Sequence, residues 1–68
     1  MGFETKVLKV VADVVGNEKS AGFSYGEMDV YCTEDEARSI FHRLTKQFYS
    51  KVAVSRVDNY HFKFAFPL

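Results

Sequence analysis

The stretch Thr33–Ser50 constrains the fold of this 68-residue chain more than any other feature. Its apolar side chains recur every three or four residues, which is the spacing of an amphipathic helix. They are Ala37, Ile40, Phe41, Leu44 and Phe48. The segments before and after it are richer in β-branched and aromatic residues, which favour strands. The sequence therefore predicts one amphipathic helix between β-rich segments.

The start of this helix has a reciprocal capping pattern. Thr33 can accept a hydrogen bond from the backbone N–H of Glu36, and the Glu36 carboxylate can accept one from the N–H of Thr33. Glu34 and Asp35 also lie in the first turn, where the helix dipole favours anions. We therefore expect the helix to begin at Thr33.

Residues 3–15 have two interpretations. Their five valines favour a strand. A helix also fits, because the valines share one arc with Leu8 and because Gly16 could end the helix. Against the helix, Asp13 would lie in its last turn, where the dipole disfavours an anion, and no strong N-cap residue precedes it. We favour the strand.

These elements assemble into a single ββαββ domain spanning residues 1–68. The second strand is residues 23–32, and the last two, Val52–Val57 and Tyr60–Phe66, form a hairpin around Asp58-Asn59. If the third strand pairs with the first rather than the second, all neighbouring strands are antiparallel and the order of this four-stranded sheet is 2-1-3-4, with the helix on one face. This arrangement also obeys the preference for right-handed crossovers. This makes the fold class α+β.

A winged helix is the alternative fold. It has helices at residues 3–15, 24–31 and 33–50, and it uses the terminal hairpin as the wing. That fold would indicate a small nucleic-acid-binding regulator.

Catalytic, metal and cofactor motifs are not found in the sequence. The side chains that could bind a soft metal are Cys32, His42 and His61, and no pair has the short spacing of a zinc half-site. No glycine-rich phosphate loop and no nucleophile elbow is present. We therefore expect a protein that is not an enzyme and that needs no cofactor or metal.

The single cysteine fits a reducing compartment. No leader sequence is apparent, and no apolar run approaches the ~18 residues of a membrane span. These features predict a soluble protein of the cytoplasm that does not enter a membrane.

Charged residues are segregated along the chain although the net charge is zero. Residues 27–36 contain five acids and no base, whereas bases dominate residues 37–68. Opposite patches of this kind orient protein–protein encounters, and zero net charge leaves no long-range attraction to nucleic acid. We expect binding to a protein complex, through acids at the helix start and bases along the helix. The candidates are Glu27, Asp29, Glu34, Asp35, Arg38, His42 and Lys46.

In the ββαββ fold, an apolar patch would remain on the sheet face opposite the helix. Its members would be Val7, Val11, Val15, Tyr25 and Tyr31. Free monomers seldom expose such a patch to water. We therefore predict that the chain forms a homodimer through this face.

The pattern over residues 5–66 resembles very small phage-encoded inhibitors of bacterial machines, such as anti-CRISPR proteins and inhibitors of host RNA polymerase. The similarity lies in the chain length, the strand ending in VYC, the capped TEDEAR helix and the closing pair VAVSRV and YHFKFAF. The resemblance implies binding that blocks a target, such as a CRISPR effector, without catalysis. It transfers no functional residue to this sequence.

Overall fold

The computed structural model describes residues 2–16, 21–48 and 51–66. The elements follow the order α1-β1-β2-α2-β3-β4, so each helix is followed by a hairpin. Their bounds are α1 (Phe3–Val15), β1 (Ala21–Ser24), β2 (Glu27–Tyr31), α2 (Glu34–Phe48), β3 (Ala53–Asp58) and β4 (His61–Ala65). The strands form one antiparallel sheet in the order β1-β2-β4-β3. The α+β class with a four-stranded antiparallel sheet is confirmed, but the predicted order 2-1-3-4 is wrong.

The strand prediction for residues 3–15 is wrong, because this segment is the helix α1. Val7, Val10 and Val11 lie on one face of it and are buried in the core. Burying one valine gives about 1.5 kcal/mol or more, whereas its helix propensity costs a few tenths of a kcal/mol. Gly16 ends the helix in the left-handed conformation, with φ of 81°, and its N–H donates to the carbonyl of Ala12 at 2.7 Å. Burial on one face therefore outweighs the β-propensity of the valines.

Residues 23–32, predicted as one strand, include most of a β-hairpin. Tyr25 and Gly26 connect β1 to β2 with φ values of 52° and 78°. Positive φ at both central residues is the pattern of a type I′ turn, which matches the twist of paired strands. The hairpin also rules out the helix at 24–31 that the winged-helix alternative required.

The two hairpins join along β2 and β4, which form the centre of the sheet. Met28 lies opposite Phe64, and Val30 lies opposite Phe62, with all four side chains buried. The hairpin of β3 and β4 is confirmed, although its turn is at Asn59 and Tyr60, one residue later than predicted. The molecule thus consists of two helix–hairpin units that meet at β2 and β4.

The capping pattern of α2 is confirmed. The N–H of Thr33 donates to Oε1 of Glu36 at 2.9 Å, and the N–H of Glu36 donates to Oγ1 of Thr33 at 3.2 Å. Ala37, Ile40 and Leu44 are buried against the sheet, as the periodicity predicted. The predicted residues 49–50 of this helix lie outside the described part of the chain.

The buried core lies between the two helices and one face of the sheet. It consists of Val7, Val10, Val11, Met28, Val30, Cys32, Ala37, Ile40, Leu44, Val52, Phe62 and Phe64. Both central strands and both helices contribute to it, so the helices share one face of the sheet. That arrangement leaves the other face in contact with solvent.

The β1–β2 turn predicts opposite effects for two substitutions. Tyr25→Asn should stabilise the protein by about 0.5–1 kcal/mol, because asparagine tolerates positive φ better than tyrosine does. Gly26→Ala should destabilise it by about 1 kcal/mol through backbone strain alone, since no atom lies within 4 Å of the added Cβ. Urea unfolding of both variants measures these changes, and a stable Gly26→Ala variant would contradict the turn assignment.

Candidate functional site

The two edge strands of the sheet differ in how the helices cover them. On β1, Ala21 and Phe23 are half-buried and pack against the core. On β3, every residue is exposed, and Val54 leaves 41% of its surface open although it lies on the helix-bearing side. The helix layer therefore covers β1 and leaves the helix-facing side of β3 open.

A groove lies where this cover is missing, between α2 and β3. Its apolar lining comes from Ala37 and Phe41 on α2, Val54 on β3 and Phe62 on β4, and its volume is about 490 Å³. Volumes of this size are typical of binding sites for small molecules and peptide side chains. We call this feature the α2–β3 groove.

Charged side chains line the rim of the α2–β3 groove. Arg38 and His42 are one helical turn apart on α2, Glu34 precedes them, and Arg56 lies on β3. Arg56 is on the helix-facing side because it pairs with the buried Phe62, and directly paired residues share a face of the sheet. The rim therefore has two permanent positive charges and one histidine for a single carboxylate.

The guanidinium of Arg56 is held by the β3–β4 turn. Its Nη2 donates to Oδ1 of Asn59 at 2.8 Å, and the N–H of Asn59 donates to Oδ1 of Asp58 at 2.7 Å. Arg38 makes no hydrogen bond or ion pair with the residues that the structure describes. Both arginines thus keep donor groups available for an anionic ligand at the groove.

The basic surface continues along α2 beyond the groove. A second, shallower hollow of about 360 Å³ is lined by His42, Arg43, Lys46 and Gln47. The predicted basic candidates Arg38, His42 and Lys46 therefore lie on one surface, with Arg38 and His42 at the groove and Lys46 one turn further along.

The four predicted acidic candidates do not form one surface. Glu27 and Asp29 alternate with the buried residues of β2, so they lie on the sheet face that has no helices. There, Oδ1 of Asp29 is 2.9 Å from Nε2 of His61, and Oε2 of Glu27 is 4.0 Å from Nζ of Lys63. These acids therefore have basic neighbours of their own.

The other two acids lie at the start of α2. Glu34 lines the α2–β3 groove and Asp35 is exposed beside it. The four predicted acids therefore do not form one continuous surface, and their part in binding a partner stays a prediction.

The predicted dimer patch is also dispersed. Val7 and Val11 are fully buried in the core, and Val15 is half-buried against it. Tyr25 is exposed at the β1–β2 turn, whereas Tyr31 stacks on His61 with ring centroids 4.5 Å apart. The sheet face without helices carries the pairs that Glu27 and Asp29 form with basic side chains. The valines that were expected on that face lie on α1 instead.

Cys32 has the environment of a structural thiol. It is 5% exposed and belongs to the core. Burial, and to a smaller extent the negative charge of Glu36, raises the pKa of its thiol to about 11. Nucleophilic cysteines require the thiolate, which this environment disfavours. Within the described ranges, no three His, Cys, Asp or Glu side chains are grouped to hold a metal ion.

Sequence reasoning missed Val54, Arg56 and Phe62 as site residues. The alternation Val52, Val54, Arg56 contained a signal, because it places an arginine on the same side of the strand as two valines. Val52 is buried, Val54 is partly open and Arg56 is exposed. Inward-pointing charged side chains are typical of the exposed edge strands of sheets. The arginine therefore indicated that the helix layer ends before β3.

Comparison with family models, curated proteins and solved structures finds no match to this chain. The resemblance to small phage-encoded inhibitors therefore stays a prediction. Neither α1 nor α2, the helices of the described ranges, is long and apolar enough to cross a membrane.

The Cys32 thiol should resist alkylation in the folded protein. At pH 8, a pKa of about 11 in place of 9.0 lowers the thiolate fraction about a hundredfold, and burial slows the reaction further. Iodoacetamide labelling followed by mass spectrometry measures the rate in buffer and in urea. Equal rates in both conditions would show that the thiol is exposed.

Proposed function

We propose that this protein is a non-enzymatic protein-binding module that uses the α2–β3 groove. The observation that supports this best is the combination of an apolar floor, two arginines on the rim and, beside them, an edge strand whose residues are all exposed to solvent. Protein interfaces favour such sites, because buried apolar contacts and arginine anchors supply most of the binding energy.

A protein partner fits this site better than free nucleic acid does. The chain has no net charge, so it has no long-range attraction to a polyanion. Nucleic-acid affinity that is independent of sequence depends mainly on counterion release by many Lys and Arg side chains. An acidic protein surface needs only a few arginines to bind and orient it.

The expected mode of action is inhibition by occupying a surface of a bacterial macromolecular complex. The resemblance to small phage-encoded inhibitors supports this mode, and so does the small size of the chain. The reduced, buried thiol of Cys32 is consistent with action in the cytoplasm. No chemical step is needed, because a bound module of this size can cover the contact site of another macromolecule.

Charge reversal at the groove tests the proposal. The variant Arg38→Glu/Arg56→Glu removes the two positive charges of the rim, and Lys6→Glu/Lys9→Glu is the matched control on the exposed side of α1. Both variants change the net charge equally. Losing two charge-assisted hydrogen bonds costs about 1.5–3 kcal/mol each, so binding should weaken by about a hundredfold or more.

The measurement is quantitative mass spectrometry of proteins retained from a nuclease-treated bacterial lysate. Wild type and the α1 control should retain the same protein complex, and the groove variant should lose it while keeping its circular dichroism spectrum. Equal retention by all three proteins would exclude the groove. Saturable binding to purified DNA or RNA in place of any protein would favour a nucleic-acid-binding regulator instead.

A further inference from the structure

We infer that the partner supplies an extended acidic segment that pairs with β3 as a fifth strand of the sheet and places side chains in the α2–β3 groove. This inference rests on the proposed function and specifies the chemistry and conformation of the partner. It follows from the backbone of β3, from the alternation of its side chains and from the charge around it.

The backbone of β3 has a free edge. The strand lies at one end of the sheet and pairs with β4 alone. An edge strand directs every second pair of N–H and C=O groups away from its neighbour. Among the described residues, no backbone hydrogen bond reaches residues 53–57 apart from those of the pairing with β4. An extended peptide can therefore pair there without displacing any contact that the structure shows.

The side chains of β3 determine where an added strand would place its own. Val54 and Arg56 face the groove, whereas Ala53 and Ser55 alternate with them and lie on the other face. An added strand would likewise direct every second side chain into the groove. An apolar side chain there would contact Val54 and Phe41, and a carboxylate would reach the arginines.

The usable edge is short. The pairing of β3 with β4 shifts register between Arg56 and Asp58, which leaves Val57 as an extra residue. Such a bulge bends the strand and interrupts the regular ladder. Pairing is therefore limited to Ala53–Arg56, so a segment of about four residues is sufficient, at about 3.3 Å per residue.

Charge selects an acidic segment rather than a second copy of this chain. Two copies paired along β3 would bring four arginines, Arg38 and Arg56 of each, to one short strand pair. Like charges placed across a strand pair destabilise it. A segment with carboxylates at alternate positions instead gives each guanidinium a charge-assisted hydrogen bond.

A peptide selection followed by backbone methylation tests this inference. A displayed library of random seven-residue peptides is selected on immobilised wild-type protein. Enriched peptides should place their glutamate or aspartate residues, and any apolar residue that enters the groove, at alternate positions. Each should lose at least tenfold in affinity for Arg38→Glu/Arg56→Glu, and it should bind the Lys6→Glu/Lys9→Glu control as tightly as wild type.

Single N-methylation along the best peptide then identifies strand pairing. Methyl groups at alternate positions should weaken binding tenfold or more, because only those amides would donate to β3. Methyl groups at the intervening positions should change affinity less than threefold. Fluorescence anisotropy with the synthetic peptides measures both effects, and the method alters no residue of the protein.

Three results would overturn the inference. Acids spaced three or four residues apart, with no alternation in the methylation scan, would indicate a helix in the groove, and the proposed function would stand. A library with no peptide that depends on Arg38 and Arg56 would exclude an acidic strand, and the lysate measurement would decide the proposed function by itself. Association of two copies abolished by Arg56→Glu would identify the edge as a dimer contact.

Discussion

The antiparallel pairing of β2 with β4 is the interaction on which the rest of the structure depends. It joins two helix–hairpin units that, within the described part of the chain, have no other strand pairing with each other. Its cross-strand pairs, Met28 with Phe64 and Val30 with Phe62, are buried beneath both helices. A chain of this length buries only about 60% of its unfolded surface, so it has little material for two separate cores. The central strand pair therefore supplies one core that both units share.

The helices cover this centre unevenly, and the candidate site follows from that asymmetry. On the α1 side, Phe66 packs against Phe3 and Phe23 with ring centroids 5.3 and 5.7 Å apart, which closes the sheet near β1. On the α2 side, Val54 and Arg56 have no equivalent cover, so the α2–β3 groove remains. The aromatic cluster thus stabilises one side of the sheet, and the other side keeps its edge available for a partner.

The sequence correctly predicted those parts of the fold that depend on interactions between residues close together in the chain. The reciprocal cap of Thr33 and Glu36 and the periodicity of α2 were confirmed, because both depend on residues three or four positions apart. The conformation of residues 3–15 was predicted wrongly, since five valines favour a strand and only the sheet beneath them makes a helix better. The β1–β2 turn was missed because tyrosine, unlike asparagine or aspartate, gives little indication of a positive φ.

The candidate site could be predicted only in part. Arg38 and His42 were identified from their positions on α2, but Arg56 and Val54 join them only through the pairing of β3 with β4. Glu27 and Asp29 were grouped with the helix acids because they are close in sequence, whereas strand alternation places them on the sheet face without helices. Long-range strand order is what separates these two sets, and a single sequence contains little information about it.

Amide hydrogen exchange of the free protein, followed residue by residue by NMR, measures whether the edge of β3 is free. The slowest amides should belong to β2 and β4, and every second amide of residues 53–56 should exchange almost as fast as an unprotected one. Uniform protection of residues 53–56, equal to that of β2, would show that the edge of β3 is already covered and cannot bind an added strand.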